Sequence, residues 1–279
     1  MNEYIREHYL EAGKIAATVL KEAGAGIKED VPLLEVAEYV ENRIKDLGGD
    51  IAFPCNISIN EIASHYTPDD DIPRFKKGDV VKIDVGVHIE GYIADTASTV
   101  EVATGHHSKL IKACEEALDN AILSVRDSVQ TRTVGKVIEE TIKKHGFIPI
   151  KHLTGHSLEQ YKLHSGMSIP NYGSVFSQKI KKDMVFAIEP FATCGTGNIR
   201  YGKPHIYAAV KAITTSHKKI SERFGTLPFA RRWVPEMSMG DLKGLREYFE
   251  LIESSGAIVA QSEHTVIVGE GGCKVITKR

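Results

Sequence analysis

The chain has 279 residues, 42% of them hydrophobic, with 35 Lys and Arg set against 37 Asp and Glu. That length and apolar content can fill a sizeable core, which excludes a disordered chain. The near balance of charge supplies no net field for nucleic acid or for an anionic membrane surface.

In chain order, Ile5, Leu10, Ile15, Val19 and Leu20 recur near the helical period until Gly24 and Gly26, which predicts an amphipathic helix ended by glycine. Its charged residues Glu3, Arg6, Glu7, Glu11 and Lys14 remove the apolar core that a signal peptide needs, and no later apolar run is long enough to span a bilayer. For a second helix Asp30 is the expected cap and Pro32 suits the first turn. Leu33, Val36, Ala37, Val40, Ile44 and Leu47 form its stripe, and Gly48 and Gly49 end it.

A loop with His65, Pro68, three aspartates from Asp69 and Pro73 then leads to an alternating stretch at Val80. Val81, Ile83, Val85 and Val87 face one way and Asp84 and Gly86 the other; Glu90-Gly91 supplies a turn, and 92–100 returns as a second strand. Helices are expected at 108–124 and, after a Thr133 cap, at 134–144, the latter stopped by Gly146. Strand-like pieces follow at 184–189, 207–214 and 258–268, and Ser238 with Asp241 begins a helix expected to run through Tyr248. No repeat, low-complexity tract or linker divides the chain, so 1–279 is expected to form one domain with an insertion. Cys55, Cys114, Cys194 and Cys273 are scattered without a C-x-x-C pair, which favours a reducing, cytoplasmic setting.

The hairpin carries the first chemistry. An even loop puts Asp84 and Asp95 on the same face as direct or diagonal neighbours, where two carboxylates repel unless a proton or cation lies between them. For two aspartates alone, a wet face is the ordinary explanation. Gly155-His156, Glu189 in Ala-Ile-Glu-Pro and Glu263 in Ala-Gln-Ser-Glu-His-Thr place further ionisable groups in apolar, strand-like contexts. Two Asp, one His and two Glu form an oxygen-rich set suited to Mn, Fe, Co or Zn. Four carboxylates match the charge of two divalent ions better than one.

At these motifs the chain resembles the type II methionine aminopeptidases of the pita-bread fold, from its first helix almost to its last residue. The likeness rests on Phe53-Pro54, Ala63-Ser64-His65-Tyr66-Thr67-Pro68, Lys82-Ile83-Asp84-Val85-Gly86 and Ala94-Asp95-Thr96-Ala97. It continues in Gly155-His156-Ser157-Leu158, Ile188-Glu189-Pro190 and Ala260-Gln261-Ser262-Glu263-His264-Thr265. Several motifs in the right order are far more specific than any one of them. The long stretch between Glu189 and Glu263, with Phe224-Gly225-Thr226-Leu227-Pro228-Phe229-Ala230-Arg231-Arg232-Trp233, resembles the type II insertion, about 215–247 here, and the start near the catalytic region resembles the archaeal form. One departure is Tyr248-Phe249-Glu250-Leu251, where the class usually reads Tyr-Pro-x-Leu.

The resemblance implies an α+β fold: a pseudo-twofold curved antiparallel sheet, backed by helices, around a central cleft. It implies that Asp84, Asp95, His156, Glu189 and Glu263 bind two divalent ions (Co, Mn, Fe or Zn), with Asp95 and Glu263 bridging. The implied reaction removes the initiator methionine from nascent polypeptides whose second residue is small. Metal-bound hydroxide attacks the scissile carbonyl, Glu189 shuttles the proton, His164 steadies the oxyanion and His65 lies beside the substrate amine. Phe53, Leu163, Tyr248 and Leu251 are the implied walls of the methionine pocket, and Thr96, Thr99 and His264 orient ligands. His152 and His205 read as structural. A monomer is expected, with nascent chains as partners, ribosome docking left open, and no nucleic acid or membrane. The alternatives are a prolidase or aminopeptidase P, which shares the ligand types but carries an extra amino-terminal domain, and a noncatalytic binding protein on the same fold.

Overall fold

The Asn2 side chain accepts a hydrogen bond from Ile5 N at 2.9 Å and so caps α1 (Glu3–Gly26). In the computed structural model the described residues are 1–70, 72–209 and 214–279. The cap of α2 (Leu33–Asp46) is Pro32, not the expected Asp30, which has φ 66° and donates its N–H to Phe75 O. Proline sets φ and lacks the N–H that would be orphaned there, so the helix starts without a side-chain cap.

Next come β1 (Asp50–Ile59), β2 (Ile62–Ser64), β3 (Val80–Ile89) and β4 (Tyr92–Glu101), of which β1, β3 and β4 form one antiparallel sheet. The strand β1 has no counterpart among the expected elements, because Pro54 breaks its pattern. It is accommodated where the register shifts between Phe53 and Asn56. α1 packs across β3 and β4 and α2 against β1, burying Leu20, Leu33, Val40, Ile57, Ile83 and Val87 in one core.

The second half repeats the plan. α3 (Ser108–Ser124) and α4 (Thr131–Lys144) pair, the latter beginning ahead of the expected Thr133 cap; Thr131 lies in its first turn and accepts from Gln178 N. They back β5 (Ile148–Pro149), β6 (Thr154–Leu158), β7 (Ser168–Pro170), β8 (Val185–Ile188) and β9 (Phe191–Thr193). A second core of Leu118, Val134, Ile138, Phe186, Ile188 and Val266 lies beneath.

The remainder is β10 (Ile199–Ala208), α5 (Thr215–Phe224), β11 (Phe229–Ala230), α6 (Met239–Leu242), β12 (Arg246–Glu253), β13 (Val259–Gln261), β14 (His264–Val268) and β15 (Cys273–Val275). The further sheets run β11-β10-β12-β2, β13-β9-β5 and β15-β14-β8-β6-β7. Three expectations change here. The strand expected at 207–214 lies earlier, as β10, and residues 210–213 lie outside the described residues. The piece at 258–268 is two strands broken at Ser262-Glu263. Ser238 and Asp241 do form a capping box, but α6 ends at Leu242, Gly244 takes φ 94°, and Tyr248 belongs to a strand. Pairing of β12 with β10 and β2 overrides the local helix signal. Among the described residues no helix is long and apolar enough to cross a membrane.

β10 and the residues from α5 to Leu245 share a third core that includes Tyr207, Ile220, Phe229, Val234 and Leu242, and this part of the chain is tied to α2 through the buried Glu41. Arg232 Nη2 pairs with that carboxylate, Trp233 Nε1 donates to it at 2.9 Å, and Cys55 N donates at 3.2 Å. Arg232 Nη1 also donates to Thr67 Oγ1 at 2.6 Å and to Pro68 O at 3.1 Å. Arg232→Ala leaves this carboxylate without its cation, so it is expected to cost about 3–5 kcal/mol, read from urea unfolding. Replacing both partners, Glu41→Leu with Arg232→Met, is expected to recover most of that loss.

Candidate metal centre

In the β3–β4 register Asp95 pairs with Gly86 and Asp84 with Ala97, so the two aspartates are diagonal neighbours on one face. β1 lies on the other side of β3, with Asn56 opposite Asp84 and Phe53 opposite Gly86. Gly86 is what admits the Phe53 ring, since a Cβ there would stand 2.1 Å from the ring. In the other half, His156 sits within β6, Glu189 directly after β8, and Glu263 in the break between β13 and β14. Gly155 lets β6 approach β8, because a Cβ would meet Ala187 O at 2.4 Å.

Hydroxyls join the halves. Thr265 Oγ1 donates to Asp95 O at 2.7 Å and accepts from Asp95 N at 2.8 Å, while Thr96 Oγ1 donates to Glu263 O at 2.8 Å. Thr99 Oγ1 donates to Gln261 O at 2.7 Å and accepts from Gln261 N at 2.9 Å. Thr96 and Thr99 thus hold the backbone that carries the acidic side chains. His264 instead bonds Thr277 Oγ1 at 2.9 Å.

The five expected residues converge. Potential donor atoms of Asp95, His156 and Glu263, all buried, lie within 4.8 Å of one another. His156 Nε2 is 3.6 Å from Asp95 Oδ2 and 3.5 Å from Glu189 Oε1. Gln261 Nε2 reaches Asp84 Oδ2 and Glu263 Oε2, each at 3.4 Å. Burial lifts the Asp84 pKa to about 6. Burial, then repulsion by neighbouring carboxylates, raises those of Asp95, Glu189 and Glu263. Burial lowers His156 to about 3, keeping its imidazole a neutral lone-pair donor. Asp84 Oδ1 and Asp95 Oδ1 are buried with no protein partner. Hard oxygen donors, one imidazole and uncompensated negative charge fit a divalent metal.

Around this cluster the cleft is lined by Phe53, His65, Leu163, His164 and Tyr248, all expected, and by Asn56, Ser64, Ile206 and Pro228, which were not. Ile206 comes from β10 and Pro228 from just before β11, which carry no recognisable local chemistry; Asn56 comes from the strand obscured by Pro54. His65, at φ 66°, donates from Nδ1 to Phe249 O at 3.2 Å, and the His164 ring lies 4.3 Å from that of His156. Burial lowers both His65 and His164 to about 4. Leu251 is not among the cleft residues; it packs on Ala63, Leu153 and Phe191. A helix would have set Tyr248 and Leu251 on one face, whereas a strand sends residues three apart to opposite faces.

The profile of metallopeptidase family M24 matches residues 7–270. The chain is 44% identical over 295 residues to a methionine aminopeptidase of Methanothermobacter thermautotrophicus, covering 98% of each. It is 45% identical to that of Archaeoglobus fulgidus, covering 100% of both. Among solved structures, a methionine aminopeptidase from Thermotoga maritima aligns with TM-score 0.79 at 24% identity, over 100% of this chain and 98% of that one. A prolidase from Pyrococcus furiosus aligns with TM-score 0.70 at 20% identity over 100% of this chain but 65% of its own. These structural likenesses establish the pita-bread fold.

His152 is exposed, but His205 has a definite structural task. Its Nδ1 meets Asp69 Oδ2 at 2.7 Å and its Nε2 meets Glu250 Oε1 at 3.0 Å, tying the loop that follows His65 to β10 and β12. Burial alone would make His205 less basic, but the two carboxylates outweigh it and lift its pKa to about 9. A raised folded-state pKa adds stability that is complete below the unfolded value of about 6.5 and is lost as pH climbs through about 9. Urea midpoints taken between those limits are expected to fall with pH, and His205→Gln is expected to remove that part of the slope.

Proposed function

The chain belongs to metallopeptidase family M24 as a methionine aminopeptidase, and on that premise we propose that Asp84, Asp95, His156, Glu189 and Glu263 hold two divalent ions. Asp95 and Glu263 would contribute donors to both. The observation that carries this reading is the convergence, from both halves, of three buried carboxylates, the half-buried Glu189 and one neutral imidazole. Bound there, the ions would supply an acidified water as nucleophile and a Lewis acid for the scissile carbonyl. Co, Mn, Fe and Zn all suit the donors.

The protein's own groups then do the rest. Phe53, Leu163, Tyr248, Ile206 and Pro228 enclose the methionine side chain. His65 commits its Nδ1 hydrogen to Phe249 O, which leaves Nε2 as a neutral acceptor beside the substrate amine. Glu189 takes the proton of the attacking water and returns it to the leaving nitrogen. His164, neutral at working pH, donates to the developing oxyanion. The substrates are amino termini of newly made cytoplasmic proteins with a small second residue.

Metal-stripped protein reconstituted with each ion is expected to cleave Met-Ala-Ser and to leave Ala-Pro-Ala intact; cleavage of the second peptide alone would indicate a prolidase-like enzyme. No turnover with any ion would indicate a binding protein. Glu263→Ala is expected to reduce bound metal, by elemental analysis, and nearly abolish turnover, because two cations lose a shared carboxylate. For His164→Ala the expected result is a fall in kcat of about 10²–10³ with metal content unchanged. Met-Asn-Ser is expected to be cut far more slowly than Met-Ala-Ser.

A further inference from the structure

The two stretches of chain that bring Glu189 and Glu263 into the cluster are interrupted at the same place. β8 pairs with β14 as far as Ile188 opposite His264, and β9 pairs with β13 from Phe191 opposite Gln261. The register is the same on either side of the interruption, so it sets Glu189 opposite Glu263 and Pro190 opposite Ser262, outside either ladder. Two opposed carboxylates repel, and Pro190 has no N–H with which to continue the pairing.

The backbone of this gap is bonded outward on both sides. Glu263 N donates to Ala97 O at 3.1 Å and Glu263 O accepts from Thr96, while Glu189 O accepts from Asn171 Nδ2 at 3.2 Å. Across the gap, Ser262 N donates to Pro190 O at 3.3 Å.

At this point α3 presents the fully buried Cys114, whose Sγ lies 3.0 Å from Pro190 O and 3.4 Å from Ala260 O. One carbonyl belongs to the residue after Glu189, the other to β13 just ahead of the break at Ser262-Glu263. A thiol packs as a small hydrophobe and is a weak donor, which suits a core that includes Leu118, Ile188, Ala192 and Ala260. Burial pushes its pKa up to about 12, so the hydrogen stays on the sulfur. A single S–H thus spans both strands where their ladder is open.

We infer that Cys114 is a positioning residue whose thiol sets the width of the gap, and with it the spacing of the Glu189 and Glu263 carboxylates. This rests on the metal-centre reading and deepens it. The sulfur does not line the cleft and is not a ligand; it acts through the backbone on which two ligands are mounted. Carboxylates already held at the right separation bind a cation without first having to rearrange.

The test is calorimetric titration of metal-stripped protein with Co(II), with the d–d absorption of the loaded protein and the thermal midpoint of the stripped protein recorded alongside. Cys114→Ala removes bulk and donor, Cys114→Val removes the donor alone, and Cys114→Ser keeps a donor. Cys273→Ala is the control, since Cys273 also lies within reach of a carbonyl, Ile122 O at 3.4 Å, in the same core but away from the gap. Cys114→Ala and Cys114→Val are expected to bind Co(II) about tenfold more weakly and to shift the d–d bands, as for other groups that orient metal ligands from behind. Cys114→Ser is expected to stay within about threefold of wild type. Cys273→Ala is expected to lower the thermal midpoint with affinity and spectrum unchanged. Wild-type affinity and spectrum in both Cys114→Ala and Cys114→Val would overturn the inference, as would equal weakening in Cys273→Ala or a serine variant no better than valine. Should Cys114→Ala not fold, Cys114→Val, which fills the space, decides the matter by the same comparison. A wild type that binds no Co(II) overturns the metal-centre reading itself, whereas wild-type binding that the Cys114 variants leave unaltered overturns only the role of Cys114.

Discussion

Four carboxylates forced into one buried cluster repel each other, and the architecture around them exists to hold that repulsion in place. Left alone, Asp84, Asp95, Glu189 and Glu263 would separate, draw in water or take up protons, and their raised pKa values express that tendency. What stops the separation is the rigidity of the strands and strand ends on which they are mounted. Asp84 and Asp95 are fixed by a hairpin in continuous register. Glu189 and Glu263 lie where β8 and β14 meet, with His264 paired to Ile188.

The first core takes in Leu158, Val185, Ala187 and Ile267 from the second half, and polar bonds add to this where the two halves meet at the cluster. The threonines of β4 and β14 supply them. Thr96, Thr99 and Thr265 bond backbone groups across the junction, where the sheets no longer pair. A hydroxyl that both donates and accepts can replace two ladder bonds without requiring strand geometry. The acidic side chains are consequently held close by bonds to their own backbones, leaving the carboxylate oxygens free for a cation.

The residues leading into β11 add to the wall of the cleft. Pro228 and β10's Ile206 contribute apolar wall, and the Glu41–Arg232 pair anchors the segment after β11 to α2. The same guanidinium holds Thr67 and Pro68, so the loop bearing His65 is braced by Arg232 on one side and by His205 on the other. The shape of the cleft thus depends on packing between segments far apart in the chain.

The amino-acid sequence determined whatever depends on short-range pattern. The parity of the hairpin put Asp84 and Asp95 on one face, helical periodicity located α1 to α3 closely, and ordered motifs identified the five converging residues. Tertiary structure decided the rest, since long-range pairing competes with local preference and leaves no local trace. The capping box at Ser238 opens only a short helix because Arg246–Glu253 is claimed by β10 and β2, which places Tyr248 in the cleft and Leu251 outside it. Asn56 was hidden behind Pro54, whose disruption of a strand pattern is absorbed by a register shift visible only when β1 meets β3. His205 acquired its task only when a loop and two strands brought Asp69 and Glu250 to either side of its ring. Nothing in its immediate neighbours could have specified that.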